Sequence, residues 1–418
     1  MKEIYLDNAA TSRIDPRVLK EMMLYYISEY GNPSSFHNKG KEAKEAVENA
    51  RKTISLILNC QPKEIIFTSG GSESINLALK GVAFANKEDG NHVITTKIEH
   101  PAVLETCSYL SYRGFEITYL GVNKNGRVNP KDVENEITNK TILISVMYAN
   151  NEIGSVQDIE EIGKIANSKK IYFHTDAYQA SGFLDLDVKK LGVDLLSLNG
   201  SKVNGPKGAG LLYIKEGVLV EPLIHGGGQE SGYRSGTEDV PEIVGIAKAL
   251  QIAFENREEK NSKMIELRDY FISELLKISK SRLNGDSEKR LPNNVNISFL
   301  DVEGESMLLH LNEKGIYASS GSACTSKSLE TSHVLRAIGL PYEASYGSLR
   351  IIDKDTGITD KDIEEAVLEG ADTLEKIQNK LKVGVSNKGC IPEVEQLIRF
   401  YKEKYFWWTM KKGKSLDL

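Results

Sequence analysis

The sequence predicts an α/β protein: a mainly parallel β-sheet covered by helices, joined to a smaller α+β domain. Three observations carry this. Short apolar runs alternate with helical patterns through the middle of the chain, a long polar helical stretch follows, and strand and helix patterns then resume.

Taken in order, Glu64-Ile65-Ile66-Phe67-Thr68 is a strand, and glycines lead from it into the helical pattern Ser74-Ile75-Asn76-Leu77-Ala78-Leu79. Thr141-Ile142-Leu143-Ile144-Ser145-Val146 is another strand, followed by a helix from about 159 to 166. Lys170-Ile171-Tyr172-Phe173-His174, Asp194-Leu195-Leu196-Ser197-Leu198 and Gly210-Leu211-Leu212-Tyr213-Ile214 complete the series. Continuous apolar runs mark strands buried on both faces, as parallel sheets require. From about 242 to 279 the chain reads as one charged helix, wholly polar over 255–263, expected to connect two domains. Beyond it Asn294-Val295-Asn296-Ile297-Ser298-Phe299 is a strand, and 305–312 and 360–381 are helical. From about 382 the chain changes character, and Tyr405-Phe406-Trp407-Trp408 holds both tryptophans. Aromatics of that size more often cover their own protein than dock a partner.

Composition excludes several classes. At 418 residues, 40% hydrophobic and 27% charged, the chain is an ordinary globular sequence with room for two domains. A net charge of −6 and the absence of a long basic run leave no footprint for nucleic acid. No apolar run approaches the roughly 18 residues of a membrane span. The first residues lack a signal core, so a cytoplasmic location is expected. Cys60, Cys107, Cys324 and Cys390 form neither a disulfide framework nor a Cys-x-x-Cys pair, and no metal site is expected. Cys60 and Cys107 read as small buried hydrophobes.

Ligands of α/β sheets sit beyond the carboxyl ends of the strands, and the polar turns there supply candidates. Ser69-Gly70-Gly71-Ser72-Glu73 joins a strand to a helix, so its backbone N–H groups and helix dipole suit a phosphate. Such turns also carry Gly and Ser merely as caps. Lys202 follows a strand within Asn199-Gly200-Ser201-Lys202-Val203-Asn204-Gly205-Pro206-Lys207-Gly208 and suits a Schiff base, but spacing does not choose it over Lys207. Asp176, also after an apolar strand, suits a pyridinium partner or a helix cap. His100-Pro101 stands at a helix start, where a lone histidine is more often only a cap. Cys324, in Ser319-Ser320-Gly321-Ser322-Ala323-Cys324-Thr325-Ser326, lies in a small polar loop unlike a core setting and suits a nucleophile.

Together these segments resemble the cysteine desulfurases of the class V aminotransferase fold. The matching stretches are Tyr5-Leu6-Asp7-Asn8-Ala9-Ala10-Thr11, Gly31-Asn32-Pro33-Ser34-Ser35, Ser69-Gly70-Gly71-Ser72-Glu73 and Glu99-His100-Pro101-Ala102-Val103. Asn150-Asn151-Glu152-Ile153-Gly154, His174-Thr175-Asp176-Ala177-Tyr178-Gln179-Ala180 and Gly226-Gly227-Gly228-Gln229-Glu230 follow. Arg234-Ser235-Gly236-Thr237 and Ser320-Gly321-Ser322-Ala323-Cys324-Thr325-Ser326 complete the set, in the family's order over roughly residues 1–380.

The resemblance implies a seven-stranded sheet in a large domain over 13–258, a small domain over 259–384 with 1–12, and an extension over 385–418 of unknown role. It implies pyridoxal 5'-phosphate held by Lys202, with Asp176 on the pyridine nitrogen, Gln179 on the ring hydroxyl and His100 stacked on the ring. Gly71, Ser72, Asn199 and Ser201 fall at phosphate positions, and Thr237 at one reaching the neighbouring subunit's phosphate, hence a homodimer with shared sites. Asn151 and Arg350 match positions that bind the carboxylate of L-cysteine, and Cys324 matches the nucleophile. The implied activity converts L-cysteine to alanine, with the sulfur carried on Cys324 as a persulfide to an acceptor protein.

The chain departs from the family where Ser-Gly/Ala-His-Lys is usual and Asn199-Gly200-Ser201-Lys202 stands, and where Ser72 replaces threonine. Arg350 is followed by Ile351-Ile352-Asp353-Lys354 instead of a Ser-x-Gly pattern. Selenocysteine lyase or an aminotransferase is the alternative chemistry on this fold, and transamination has no use for a thiol nucleophile. A weakly active docking subunit of a sulfur-transfer complex is the other alternative.

Overall fold

The computed structural model describes residues 3–255, 257–321 and 331–353, with Thr373, Glu375, Lys376, Glu395 and Arg399. Cys324, the helix expected over 360–381 and the aromatic cluster at 405–408 lie outside the described residues. The chain groups into two compact units, Met1–Lys354 and Asp355–Leu418. Every element named below belongs to the first.

Its strands in chain order are β1 (Ile4–Tyr5), β2 (Ile65–Thr68), β3 (His92–Thr96), β4 (Glu116–Leu120), β5 (Thr141–Ser145), β6 (Tyr172–Asp176), β7 (Leu195–Asn199), β8 (Gly210–Ile214), β9 (Ser281–Leu283), β10 (Asn294–Phe299), β11 (Ile316–Tyr317) and β12 (Ser348–Ile352). The helices are α1 (Pro16–Ile27), α2 (Asn38–Leu58), α3 (Gly71–Ala85), α4 (Pro101–Tyr112), α5 (Pro130–Asn135), α6 (Ile159–Lys169), α7 (Val188–Leu191), α8 (Val240–Phe254), α9 (Arg257–Leu275), α10 (Gly304–Glu313), α11 (His333–Ala337) and α12 (Tyr342–Tyr346).

Seven strands form one sheet in the order β2-β8-β7-β6-β5-β3-β4. Pairing is parallel from β7 to β4, and only β8 runs against its neighbours β7 and β2. Alternate residues of each strand face opposite layers. Ile65, Phe67, Ile94, Ile144, Leu196, Leu198 and Leu211 pack into one core with α1, α2, α6 and α8. Ile66, Val93, Leu143, Leu195 and Leu212 pack into the other with α3 and α4. The expected mainly parallel sheet with helices on both faces is therefore present, and its smaller companion is the antiparallel sheet β12-β10-β9.

One expectation fails. The helix read continuously over 242–279 is two helices, because Glu255 adopts an extended backbone (φ −62°, ψ 123°) after α8. Hydropathy explains the break. α8 buries Ile243, Ile246 and Leu250, whereas α9 buries only Met264 and Arg268; polar periodicity alone could not reveal a change of partner.

The segment after β8 is tied down by Glu230, whose carboxylate accepts two hydrogen bonds from Arg51 of α2 (3.0 and 2.8 Å) and one from Phe67 N (2.8 Å). Both charged residues are buried. Removing one partner of such a pair strands the other charge in the core. Glu230→Ala should therefore lose about 3–5 kcal/mol of stability in denaturant unfolding, and a loss under 1 kcal/mol would contradict this.

Candidate active site

The turn from β2 into α3 forms one wall of a cavity of about 270 Å³, lined by Thr11, Ser69, Gly70, Gly71, Ser72, Glu73, Asn199, Ser201, Lys207 and Gly208. Gly70, the N-cap, has φ +147° and no side chain caps the helix. The first-turn N–H groups of a 15-residue helix thus face the cavity with its positive dipole end. A side chain at Gly71 would meet the Tyr178 ring at 2.4 Å, so the backbone must be bare there. Tyr178 hydroxyl donates to Gly71 O, fixing the turn from below. Opposite, Asn199 Oδ1 accepts from Ser201 N (3.1 Å) and Ser201 Oγ (3.2 Å). Glu73 also borders the cavity. Although burial opposes it, hydrogen bonds from Ser69 and Arg234 hold its carboxyl below the usual range.

The structure separates the two lysines that spacing left equivalent. Lys207 is exposed at the cavity. Lys202 is half-buried, and its Nζ donates to the carbonyls of Ala9 (2.7 Å) and Ala10 (2.5 Å). Gln179 Nε2 donates to the same Ala9 O (3.2 Å). Asp176 ends β6 fully buried, its Oδ1 accepting from Tyr178 N (3.0 Å). Burial pushes its carboxyl up to about 7, with the Tyr178 N–H and the Lys202 charge pulling the other way.

His100 is the N-cap of α4, and its Nδ1 accepts from Ala102 N (3.1 Å). The cap reading is therefore correct and leaves the ring proton on Nε2. Burial, then Lys202 and His333, pull the imidazole down to about 4, so it is neutral near pH 7. Beside it, Glu99 is buried and accepts from Thr96 Oγ1 (2.8 Å) and Met147 N (2.9 Å), and burial drives its carboxyl up to about 8.

Asn151 sits in a tight turn in which Asn150 Oδ1 accepts from Glu152 N (2.9 Å) and Ile153 N (3.0 Å), while Asn150 Nδ2 donates to Ile98 O (2.9 Å). Arg350, on β12, is buried and pairs with Asp7 at 2.7 Å. Its Nε has no hydrogen-bond partner among the described residues. Thr237 is exposed and does not line this cavity. Cys107 is a core thiol, as the sequence suggests, whereas Cys60 is only half-buried against the core, and burial pushes both up to about 12. Among the described residues no group of three His, Cys, Asp or Glu side chains could hold a metal ion.

The arrangement fits pyridoxal phosphate. An uncapped helix N-terminus and bare glycine backbone suit the phosphate, and an amine, a buried carboxylate and a neutral imidazole converge beside them. Sequence reasoning gave no role to Ala9, Ala10 or Thr11, since carbonyl acceptors leave no side-chain signature.

Comparison with known proteins agrees. Residues 4–344 match the class-V aminotransferase family. Cysteine desulfurase IscS of Methanosarcina thermophila is 54% identical over 350 residues, covering 84% of this chain and 87% of that protein. The Dictyoglomus turgidum protein of the same name is 49% identical over 384 residues, covering 91% and 96%. A solved NifS-like protein superposes with a TM-score of 0.80 at 38% identity, covering 96% of this chain and all of that one. SspA in complex with cysteine gives 0.74 at 38% identity, covering 84% and 98%.

Residues 356–399 match a second family, described as a BFD-like [2Fe-2S] binding domain. The donors do not fit a cluster. That segment holds a single cysteine, Cys390, and no histidine, whereas a [2Fe–2S] centre takes four thiolates or two with two imidazoles. Anaerobic incubation of the full chain with ferrous iron and sulfide should leave no stoichiometric iron after desalting. Two irons per chain that disappear in Cys390→Ser would contradict this.

Proposed function

The chain belongs to the class-V aminotransferases and, within them, to the cysteine desulfurases, and from that premise we propose how its own residues carry the reaction. The activity is pyridoxal-phosphate-dependent transfer of sulfur from L-cysteine. The atoms balance as L-cysteine plus a protein thiol giving L-alanine plus a protein persulfide: the substrate's C–S bond breaks, an S–S bond forms, and the carbon takes the proton. Bound pyridoxal phosphate supplies an electron sink for the substrate's α-carbon, which makes the adjacent C–S bond cleavable.

The observation that carries the residue assignments is the convergence of Lys202, Asp176 and His100 beside the uncapped N-terminus of α3. Lys202 would hold the cofactor through its Nζ, the same atom that would take the substrate's α-proton. Asp176 would answer the cofactor's ring nitrogen, Gln179 its ring hydroxyl, and the neutral His100 would serve its ring. Gly71, Ser72, Asn199 and Ser201 would hold the phosphate. Asn151 and Arg350 take the substrate carboxylate, Arg350 through donors beyond the one engaged by Asp7. Cys324 as thiolate attacks the substrate sulfur and then passes it to an acceptor protein.

The working unit in this reading is a homodimer in which Thr237 completes the partner's phosphate site. Two features support it: Thr237 does not line the cavity of its own chain, and Met23, Tyr26, Ile27, Tyr30 and Phe36 leave an apolar stretch exposed on and after α1, Phe36 at 97%.

Purified protein loaded with cofactor should release alanine and sulfide from L-cysteine under reductant. Cys324→Ala should keep the cofactor's absorbance and lose sulfide release. Full loading without alanine would sink the assignment.

Sedimentation should give twice the 46.4 kDa chain mass. Thr237→Ala should weaken cofactor retention roughly tenfold, the value of one hydrogen bond to a charged group. A fully active monomer would rule out the shared site.

A further inference from the structure

We propose that Asn296 is a positioning residue for substrate recognition: it registers Asn151 and Arg350, the two residues assigned to the substrate carboxylate, against each other. The two come from different parts of the fold. Asn151 lies in the turn after β5 of the seven-stranded sheet, and Arg350 lies on β12 of the smaller sheet. Asn296, on β10, is fully buried and borders both. On one side its Nδ2 donates to the carbonyl of Glu152, next in sequence to Asn151 (3.1 Å). On the other it stands directly opposite Arg350 in the β10–β12 pair.

The turn is held on the smaller sheet by successive carbonyls. Glu152 O accepts from Asn294 Nδ2 as well as from Asn296 (both 3.1 Å), Ile153 O from Arg290 Nη2 (3.0 Å) and Gly154 O from Leu291 N (2.9 Å). The Asn296 amide is itself aimed, since Asn284 Nδ2 donates to its Oδ1 (2.8 Å) and so leaves Nδ2 to face Glu152 O. Arg350 is set against it by the ladder. The backbone N–H and C=O of Arg350 both bond Ser319 (2.7 and 3.3 Å), and Asn296 O accepts from Asn284 N (2.9 Å). The pair therefore shares no backbone hydrogen bond, the arrangement in which opposed side chains share a face with Cβ atoms about 4.5–5.5 Å apart.

The consequence is a fixed span across the substrate carboxylate. A hydrogen bond to a carboxylate holds over about 2.7–3.2 Å, so two donors serve one carboxylate only while their separation is kept. Asp7 fixes the head of Arg350 (2.7 Å) and leaves its Nε without a partner among the described residues. Asn150 Oδ1 fixes the turn that carries Asn151, through Glu152 N and Ile153 N. Neither contact bridges the two halves of the clamp, and the side chain of Asn296 does. Lys202, Asp176 and His100 make their hydrogen bonds elsewhere, so removing the Asn296 amide loosens the clamp and leaves the cofactor residues in place.

The proposal rests on Asn151 and Arg350 binding the substrate carboxylate, and its test separates the two ideas. Two affinities of the cofactor-loaded protein are read from the cofactor's absorbance: for L-alanine, the product, and for ethylamine, the same amine without its carboxylate. Asn296→Ala should weaken L-alanine by about fivefold or more, the scale of one hydrogen bond, and leave ethylamine unchanged. Combined with Arg350→Ala, which already removes half of the clamp, it should add no further loss. Unchanged L-alanine affinity in Asn296→Ala, equal loss of both ligands, or the same loss repeated beside Arg350→Ala would each overturn the proposal. Should Asn296→Ala not load the cofactor, Asn294→Ala, which removes the other side-chain donor to Glu152 O, decides by the same comparison. A preference for L-alanine over ethylamine that survives in both Asn151→Ala and Arg350→Ala would instead overturn the carboxylate assignment, and the proposal with it.

Discussion

The site depends on one backbone contact, the grip of the Ala9 and Ala10 carbonyls on the Lys202 ammonium. A lysine tethered by four methylenes would otherwise spend its rotamer freedom in solvent. Two carbonyls fix its direction, and residues 7–11 become a strap between the two sheets. Asp7 pairs with Arg350, and Asn8 Nδ2 donates to Ile352 O (2.9 Å), both on β12. Ala9 O also receives Gln179, and Thr11 reaches the glycine-lined cavity. Lys202, Gln179 and Arg350 are thus positioned by five consecutive residues without regular structure. That strap is held in turn by Ser12, whose N and Oγ both donate to Ser201 O.

Legibility in the sequence followed the strength of each local signal. Gly210–Ile214 is an unbroken run without a charged residue, Asn294–Phe299 alternates polar with apolar residues, and the boundaries of both agree with the observed strands. His92–Thr96 and Glu116–Leu120 carry His, Thr, Glu and Tyr and show no continuous apolar run, so no local pattern marks them as strands. The local reading reduced His100 to a helix cap, and the structure shows that cap. Its second environment, beside Lys202 and His333, arises from residues over a hundred positions away, which no local pattern records. Lys202 and Lys207 were likewise inseparable until burial distinguished them. The strap's carbonyl acceptors left no trace at all, since Ala9 and Ala10 are chemically silent side chains.

The proposed phosphate cup carries a departure from the family pattern. Where an imidazole is usual, Ser201 presents a hydroxyl, and its Oγ and N both turn to Asn199 Oδ1. A hydroxyl can rotate to donate elsewhere while its backbone N–H keeps the bond to Asn199, so the exchange trades reach for adjustability. The exposed Lys207 on the same cavity offers a cation that the departure does not touch.

Electrostatics then sets the charge state of the buried groups near Asp176. Burial drives Asp176 toward about 7 and Glu99 toward about 8, and holds His100 near 4 and His174 near 3, each toward its neutral form. Groups so treated are cheap to leave uncharged and ready to respond to a charge placed against them. A cationic ring nitrogen beside Asp176 would favour its carboxylate, lowering its pKa again by the same coupling that stabilises the cation. The imidazole responds the other way, since a further positive charge keeps it neutral. Asp176 thus offers an anion to a cation placed against it, His100 stays neutral, and the N-terminus of α3 at Gly71 supplies a positive end. A ligand with a basic ring nitrogen and a phosphate has the charge pattern complementary to these groups.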